Sequence, residues 1–112
     1  MKKIINHPED VVNEMLSGLA AAKNGELKLD AQRRIIYRAE KKAAGKVAVL
    51  TGSGSGHEPD QVFYVGEGML DAACAGPVFA APTADAIYEA TKNVDNGAGV
   101  LYMIKNYTGD RA

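Results

Sequence analysis

The residues best suited to chemistry lie in one short segment that contains a histidine. Residues 51–59 read Thr-Gly-Ser-Gly-Ser-Gly-His-Glu-Pro. Glycine adopts positive φ angles and lets another molecule approach the backbone closely, and serine hydroxyls both donate and accept hydrogen bonds. A histidine side chain, here His57, can both accept and donate a proton. The segment therefore predicts a site for a small polar ligand, held by backbone amides, with His57 as its proton partner.

The glycine spacing of this segment differs from that of the common phosphate-binding loops. A P-loop carries a lysine directly after its last glycine, and no lysine follows Gly56. A dinucleotide fingerprint needs a third glycine at the position that His57 occupies when the pattern starts at Gly52. A dinucleotide site is therefore not predicted, and the alternative to a ligand site is a flexible Gly/Ser connection with an incidental histidine.

A second polar cluster follows a later apolar run. Residues 104–110 read Ile-Lys-Asn-Tyr-Thr-Gly-Asp. Lys105 offers a point charge for a phosphate or carbonyl oxygen, and Asp110 accepts a hydrogen bond from a hydroxyl or shares its proton. The alternatives are a solvated lysine and a turn-forming aspartate.

The two clusters need a scaffold that brings them together. Val47–Leu50 is typical of a buried parallel strand, and Val100–Ile104 is a second run of the same type. Between them Thr83 is a candidate N-cap for an amphipathic helix. Alternation of strand and helix predicts an α/β fold, with a parallel or mostly parallel sheet and flanking helices. The carboxyl ends of parallel strands share one rim, where both clusters then meet.

The remaining elements are shorter or less distinct. Asn6 is predicted to cap a first helix that ends near Asn24-Gly25. Arg34–Arg38 is predicted as an edge strand because charges flank it, and Met69–Cys74 as a short strand. The apolar face of the first helix comprises Val12, Met15, Leu16 and Leu19.

Composition narrows the class of protein. The chain has 112 residues, 46% of them hydrophobic, and a net charge of −1, so one globular domain is expected and neither a nucleic acid nor a membrane partner. No stretch reaches transmembrane length. Cys74 is the single cysteine, which excludes an intrachain disulfide and suits a reducing cytoplasm. With two histidines, it gives no zinc pattern, and no metal site is predicted.

Four motifs together resemble the dihydroxyacetone kinase family. They are residues 51–59, Gly-Glu-Gly-Met-Leu at 66–70, Ala-Ala-Pro-Thr at 80–83, and residues 104–110. The similarity extends over nearly the whole chain and is greatest to the dihydroxyacetone-binding subunits of the phosphotransferase-dependent branch.

The resemblance implies a function in glycerol and dihydroxyacetone metabolism. The protein would bind dihydroxyacetone for phosphoryl transfer to its hydroxyl, which gives dihydroxyacetone phosphate. The donor would be a phosphohistidine of the phosphotransferase system, relayed by a nucleotide-carrying subunit. No cofactor is expected on this chain, since the nucleotide and its magnesium would sit on that partner or on another domain. The resemblance also implies a cytoplasmic homodimer.

Carried onto this sequence, the family pattern also assigns residues. Within it, His57 acts as general base or hydrogen-bond partner, Asp110 contacts the attacking hydroxyl, and Lys105 binds the substrate. The implied substrate contacts are Gly54, Ser55, Gly56, His57, Lys105 and Asp110.

One departure from the family pattern concerns a covalent anchor. The family holds its substrate as a hemiaminal on a histidine of a later domain, whereas this chain has only His7 and His57. We therefore expect residues 1–112 to be the N-terminal part of a dihydroxyacetone-binding domain, an incomplete domain that is inactive alone. The alternatives are a dihydroxyacetone-sensing coactivator without catalysis, an ATP-dependent glycerone kinase, and a structural domain without a ligand.

Overall fold

A computed structural model describes all 112 residues. The chain forms one mixed five-stranded sheet with helices on both faces. The strands are β1 (Leu27–Asp30), β2 (Ile35–Arg38), β3 (Ala48–Ser55), β4 (Ala72–Val78) and β5 (Val100–Met103). The helices are α1 (Val11–Ala22), α2 (Ala84–Val94) and α3 (Thr108–Arg111), with 3-10 turns at Pro8–Asp10 and Gln61–Tyr64. None of the helices has the length and hydropathy needed to cross a membrane.

The sheet order is β1-β2-β4-β3-β5. Strands β4 and β5 both pair with β3 in parallel, and α2 connects them. These elements confirm the predicted α/β class with flanking helices. The sheet is mixed because β2 pairs with β4 in antiparallel orientation, and β1 pairs with β2 in the same way.

Strand β4 separates two apolar cores. Its residues alternate between the two faces because successive side chains of a strand point to opposite sides. Ala73 and Ala75 belong to the core that includes α1 residues Val12, Leu16 and Leu19. Ala72 and Cys74 belong to the core that includes α2 residues Ala86, Ala90 and Val94. Both faces of β4 are therefore covered, as is usual for a strand inside an α/β sheet.

The prediction that Arg34–Arg38 is an edge strand is wrong. The segment forms β2, which lies between β1 and β4, and Ile35 and Ile36 are fully buried. The flanking charge does not mark an edge because Arg38 pairs with the buried carboxylate of Asp71 at 3.3 Å. The edge position is taken by β1, which the sequence did not predict.

The extents of two predicted strands also change. The strand predicted to end at Leu50 continues to Ser55, so most of the glycine segment is strand and only Gly56 and His57 begin the loop. The strand is longer than predicted because its parallel pairing with β4 continues as far as Ser55, which lies opposite Val78. The strand predicted at Met69–Cys74 lies at Ala72–Val78 instead.

The helix ends are partly as predicted. Asn6 is not a cap, because its side chain donates to Glu14 and Asp10 holds the N-cap position of α1. Gly25 has the left-handed φ of +83° expected after α1. The hydroxyl of Thr83 accepts a 3.2 Å hydrogen bond from the amide of Ala86, which confirms the predicted cap of α2.

Candidate functional site

The two polar clusters meet at one rim of the sheet. Parallel pairing places Thr51 of β3 opposite Met103 of β5, and the Thr51 hydroxyl donates a 2.6 Å hydrogen bond to the Met103 carbonyl. Both strands end at this rim of the sheet, β3 at Ser55 and β5 at Met103. One leads to His57 and the other to Asp110, which is the convergence predicted from the strand pattern.

A cavity of about 270 Å³ lies where these segments meet. Its wall includes three of the predicted residues, namely Gly54, His57 and Asp110. Its other residues are Ser53, Phe79, Ala80, Ala81, Tyr107 and Gly109. The space suits a ligand of a few heavy atoms more than a nucleotide.

His57 is held between two aromatic rings. The Phe79 ring meets it edge-on, with centroids 5.2 Å apart and planes at 64°. The Tyr107 ring lies nearly parallel to it at 6.3 Å and 17°. His57 is half-buried, so its imidazole is oriented by packing and still faces the cavity. Such a side chain is placed to exchange a proton with a ligand.

The glycines of the segment serve close packing within the chain. A Cβ added to Gly54 would lie 2.7 Å from the nitrogen and 2.9 Å from the oxygen of Ala80. A Cβ on Gly56 would lie 2.7 Å from the Phe79 ring, and Gly56 alone among the segment's glycines has a positive φ, +108°. Gly52 and Gly54 do not use the positive φ that glycine can adopt, because both continue β3.

The side chain of Ser55 points away from the cavity. Its hydroxyl is buried and donates a 2.8 Å hydrogen bond to the Gly76 carbonyl, while its own carbonyl accepts from the amide of Phe79 at 2.7 Å. Ser55 therefore connects the end of β3 to β4 and to the backbone of Phe79, which directly follows β4. Any contribution of Ser55 to a ligand comes from its backbone.

Lys105 lies beside this cavity and lines a different one. It forms an ion pair with Asp60 and contributes to a neighbouring space of about 610 Å³. The hydrogen bond from Lys105 holds the pKa of Asp60 below its ordinary value, against the opposing effect of partial burial. The backbone amide of Asp60 also donates to the His57 carbonyl at 3.0 Å. Asp60 thus links the two clusters while Lys105 is turned from the cavity.

Several residues of the site were not predicted. Ser53 lies in residues 51–59 and Tyr107 in residues 104–110, so their place in these two motifs could have indicated that they line the site. Phe79 has a left-handed φ of +54°, which its residue type does not indicate. Asp60 and Gln61 follow the proline, and their contacts with the two clusters arise only from the tertiary fold.

No cluster of three or more His, Cys, Asp or Glu side chains is arranged to hold a metal ion. The glycine segment also lacks the P-loop lysine.

Comparison with known proteins agrees with the resemblance noted in the sequence. The profile of the Dak1 domain family matches residues 17–112. A curated relative is the "PEP-dependent dihydroxyacetone kinase, dihydroxyacetone-binding subunit DhaK" of Escherichia coli (strain K12), 52% identical over 98% of this chain. The chain spans 31% of that relative's length, about a third.

Two solved structures share the fold. One is the dihydroxyacetone kinase from C. freundii in complex with AMP-PNP and Mg²⁺, with a TM-score of 0.88, 39% identity, and coverage of 98% of this chain and 21% of that one. The other is the dihydroxyacetone kinase operon co-activator DhaQ, with a TM-score of 0.81, 39% identity, and coverage of 88% and 30%. Kinases and a co-activator thus share this architecture.

Proposed function

The chain belongs to the Dak1 domain family, and from that premise we propose that it binds dihydroxyacetone and presents the substrate's hydroxyl for phosphoryl transfer. The product would be dihydroxyacetone phosphate. The observation that supports this most is the shared cavity of His57 and Asp110. It combines a titratable base and a carboxylate in a space suited to a three-carbon ligand.

The chemistry follows from the positions of these two groups. His57 accepts the proton of the substrate hydroxyl as its oxygen forms a bond to phosphorus, and the bond between phosphorus and the donor breaks. Before the transfer, Asp110 accepts a hydrogen bond from this hydroxyl and orients it, and the hydroxyl then turns its single proton to His57. The Phe79 and Tyr107 rings keep the imidazole in place. Phosphoryl transfer depends mainly on such positioning and on charge stabilisation.

Lys105 joins the site in this proposal by changing partner. Its ammonium group is paired with Asp60, a partly exposed contact of the kind that stabilises by about 1 kcal/mol or less. A small rearrangement of so weak a pair lets Lys105 donate to a substrate oxygen. Asp60 then keeps the lysine near the site in the absence of substrate.

We propose a phosphohistidine of the phosphotransferase system as the phosphoryl donor, relayed by a nucleotide-carrying partner subunit. The name of the E. coli relative specifies dependence on phosphoenolpyruvate, and this supports the choice. In this proposal the nucleotide and its magnesium reside on the partner. We further propose that the protein acts as a homodimer in the cytoplasm.

A second function is a dihydroxyacetone-responsive coactivator that binds the same ligand without catalysis. The structural likeness to the co-activator DhaQ supports this alternative. An ATP-dependent kinase is the third possibility. All three use the same binding residues, so the fate of the substrate separates them.

The deciding experiment follows dihydroxyacetone phosphate by ³¹P NMR in the presence of the full-length protein. One reaction contains phosphoenolpyruvate, the phosphotransferase proteins and the nucleotide-carrying subunit, and another contains ATP with magnesium. Product only in the first supports the proposal, and product with ATP alone supports the ATP-dependent kinase. Saturable binding of dihydroxyacetone without product in either reaction favours the coactivator. No binding at all contradicts every version of the proposal.

A further inference from the structure

Gln61 combines three features that a residue selected for stability alone would avoid. It is 5% exposed, its φ is +60°, and its side-chain oxygen is buried without a hydrogen-bond partner. Left-handed backbone is uncommon for residues other than glycine, asparagine and aspartate. Strain of this kind persists where the surroundings require it, and it is concentrated at functional sites.

The other half of the same amide group makes a specific contact. Gln61 Nε2 donates a 2.8 Å hydrogen bond to the carbonyl of Gly54, which lines the cavity of His57 and Asp110. Pairing between β3 and β5 ends at Thr51 and Met103, and the register with β4 shifts between Ser53 and Ser55. Gly54 therefore lies where the regular ladder is interrupted, and the Gln61 side chain bonds its carbonyl there.

Asp60 sets the position from which Gln61 reaches this carbonyl. Its carboxylate accepts a 2.9 Å hydrogen bond from the backbone N–H of Gln61 and also pairs with Lys105. Its own amide donates to the His57 carbonyl. The dipeptide thus contacts the end of β3, the histidine loop and the segment after β5 at once. Gln61 lies at the point where these three segments are tied together.

We propose that Gln61 is a positioning residue for the dihydroxyacetone site. Its amide holds the Gly54 carbonyl, and thereby holds residues 54–57 in the conformation that the substrate meets. The inference rests on the proposed function and adds to it a residue outside the two motif clusters. The left-handed backbone is the conformation from which the side chain reaches Gly54.

The test compares two substitutions that relieve the same backbone strain. Gln61→Gly removes the side chain at φ +60°, and Arg34→Gly does so at φ +57°, where the arginine contacts Asn13 of α1 instead of the site. Glycine adopts this conformation freely, so neither variant should lose stability through its backbone. In the full-length protein, we expect Gln61→Gly to raise the Kd for dihydroxyacetone about tenfold, as for one lost hydrogen bond, with Arg34→Gly unchanged.

A second variant covers the case in which the space left by glycine disturbs the fold. Gln61→Glu keeps the size of the side chain and replaces the donating nitrogen by an oxygen facing the Gly54 carbonyl. We expect it to weaken binding at least as much, and to shift the ¹⁵N amide resonances of Ser55, Gly56 and His57 without ligand. A purely structural residue would lower the melting temperature and leave the Kd of the folded protein unchanged.

The outcomes separate this inference from the proposed function. Tenfold weaker binding with displaced amide resonances supports the positioning role. Binding by both Gln61 variants within about twofold of the parent overturns it, whatever their melting temperatures. Failure of the parent protein to bind dihydroxyacetone contradicts the proposed function itself, and the positioning role with it.

Discussion

Ser53 donates a 2.8 Å hydrogen bond from its hydroxyl to Oδ2 of Asp110, across a sequence separation of 57 residues. Ser53 is almost fully buried in β3, whereas Asp110 lies in the single turn of α3. A hydrogen bond to a carboxylate is among the stronger polar contacts in proteins. This bond therefore fixes the orientation of the carboxyl group at the cavity and attaches α3 to the sheet.

Replacing His57 by alanine should remove the proposed base without unfolding the protein. We expect turnover of dihydroxyacetone to fall by a factor of about 10² to 10⁴, the usual range for general base catalysis. The matched control is His7→Ala, because His7 is exposed near the N-terminus and its side chain contacts Glu9, far from the cavity residues in sequence. Turnover and thermal unfolding are measured for both variants. Unchanged turnover in His57→Ala would exclude a catalytic role for this side chain.

Asp110 and Lys105 should affect different kinetic constants. Asp110→Asn removes the carboxylate proposed to orient the reacting hydroxyl and should lower kcat more than it raises KM. Lys105→Ala removes the proposed substrate contact, which would be made equally before and during transfer, so it should mainly raise KM. The exposed Lys46 provides the control substitution to alanine. Steady-state kinetics that show the reverse pattern would mean that the two roles are exchanged.

Gly54→Ala should destabilise the fold as well as the site. The new Cβ would lie within 3.0 Å of Ala80 backbone atoms, which cannot rotate away, and overpacking of this kind costs about 1–3 kcal/mol. Gly66→Ala is the control, since nothing lies within 4 Å of its added Cβ and its φ is not positive. Chemical denaturation compares the free energies of unfolding. Equal values for the two variants would contradict the close contact at Ala80.

Cys74 should be unreactive while the protein is folded. Burial raises the pKa of its thiol to about 12, so at pH 8 the reactive thiolate is nearly absent. A thiol reagent should therefore label Cys74 only as fast as the chain opens, and denaturant should accelerate labelling steeply. The test is the labelling rate as a function of denaturant concentration. Rapid stoichiometric labelling of the native protein would contradict the burial of this residue.

The ion pair of Asp60 and Lys105 should give a small acid-dependent contribution to stability. The hydrogen bond to Lys105 lowers the pKa of Asp60 from its ordinary value of 3.8, so the folded state binds this proton less readily than the unfolded state. The ion pair's contribution to the free energy of unfolding is therefore complete at pH values above 3.8, and it is lost as the pH falls through the lowered pKa of Asp60.

The corresponding measurement compares the parent protein with Asp60→Asn by denaturation from pH 7 to pH 2. Because the Asp60 side chain is 39% exposed, we expect a difference of about 1 kcal/mol or less, constant near neutrality and shrinking in acid. Salt should reduce it. A difference that grows as the pH falls would contradict the assigned direction of the pKa shift.

The parts of this fold that could be predicted depend on local patterns. The apolar runs of β3 and β5 and the Thr83 cap are signals that neighbouring residues generate. The interior position of β2 was missed because it depends on pairing with Leu27–Asp30, a contact between separate segments. Edge and interior strands of similar composition differ only in their neighbours.

The candidate site divides in the same way. His57 and Asp110 could be placed together because both follow apolar strands whose parallel ends share a rim. The position of Lys105 outside their cavity could not be predicted, since it depends on a tertiary contact with Asp60. The backbone of Gln61 could not be predicted either, because a left-handed φ is uncommon for glutamine and its residue type does not indicate it.

The alternation of small side chains in β4 limits how this chain tolerates changes of length. Neighbouring positions face different cores, so a deletion of one residue within Ala72–Val78 would exchange the side chains that meet α1 with those that meet α2. It would also shift the register with β3 on one side and β2 on the other. Point substitutions between residues of similar volume are compatible with this geometry. Variation within the family should therefore consist of exchanges in β4 and of insertions in the loops that connect the strands.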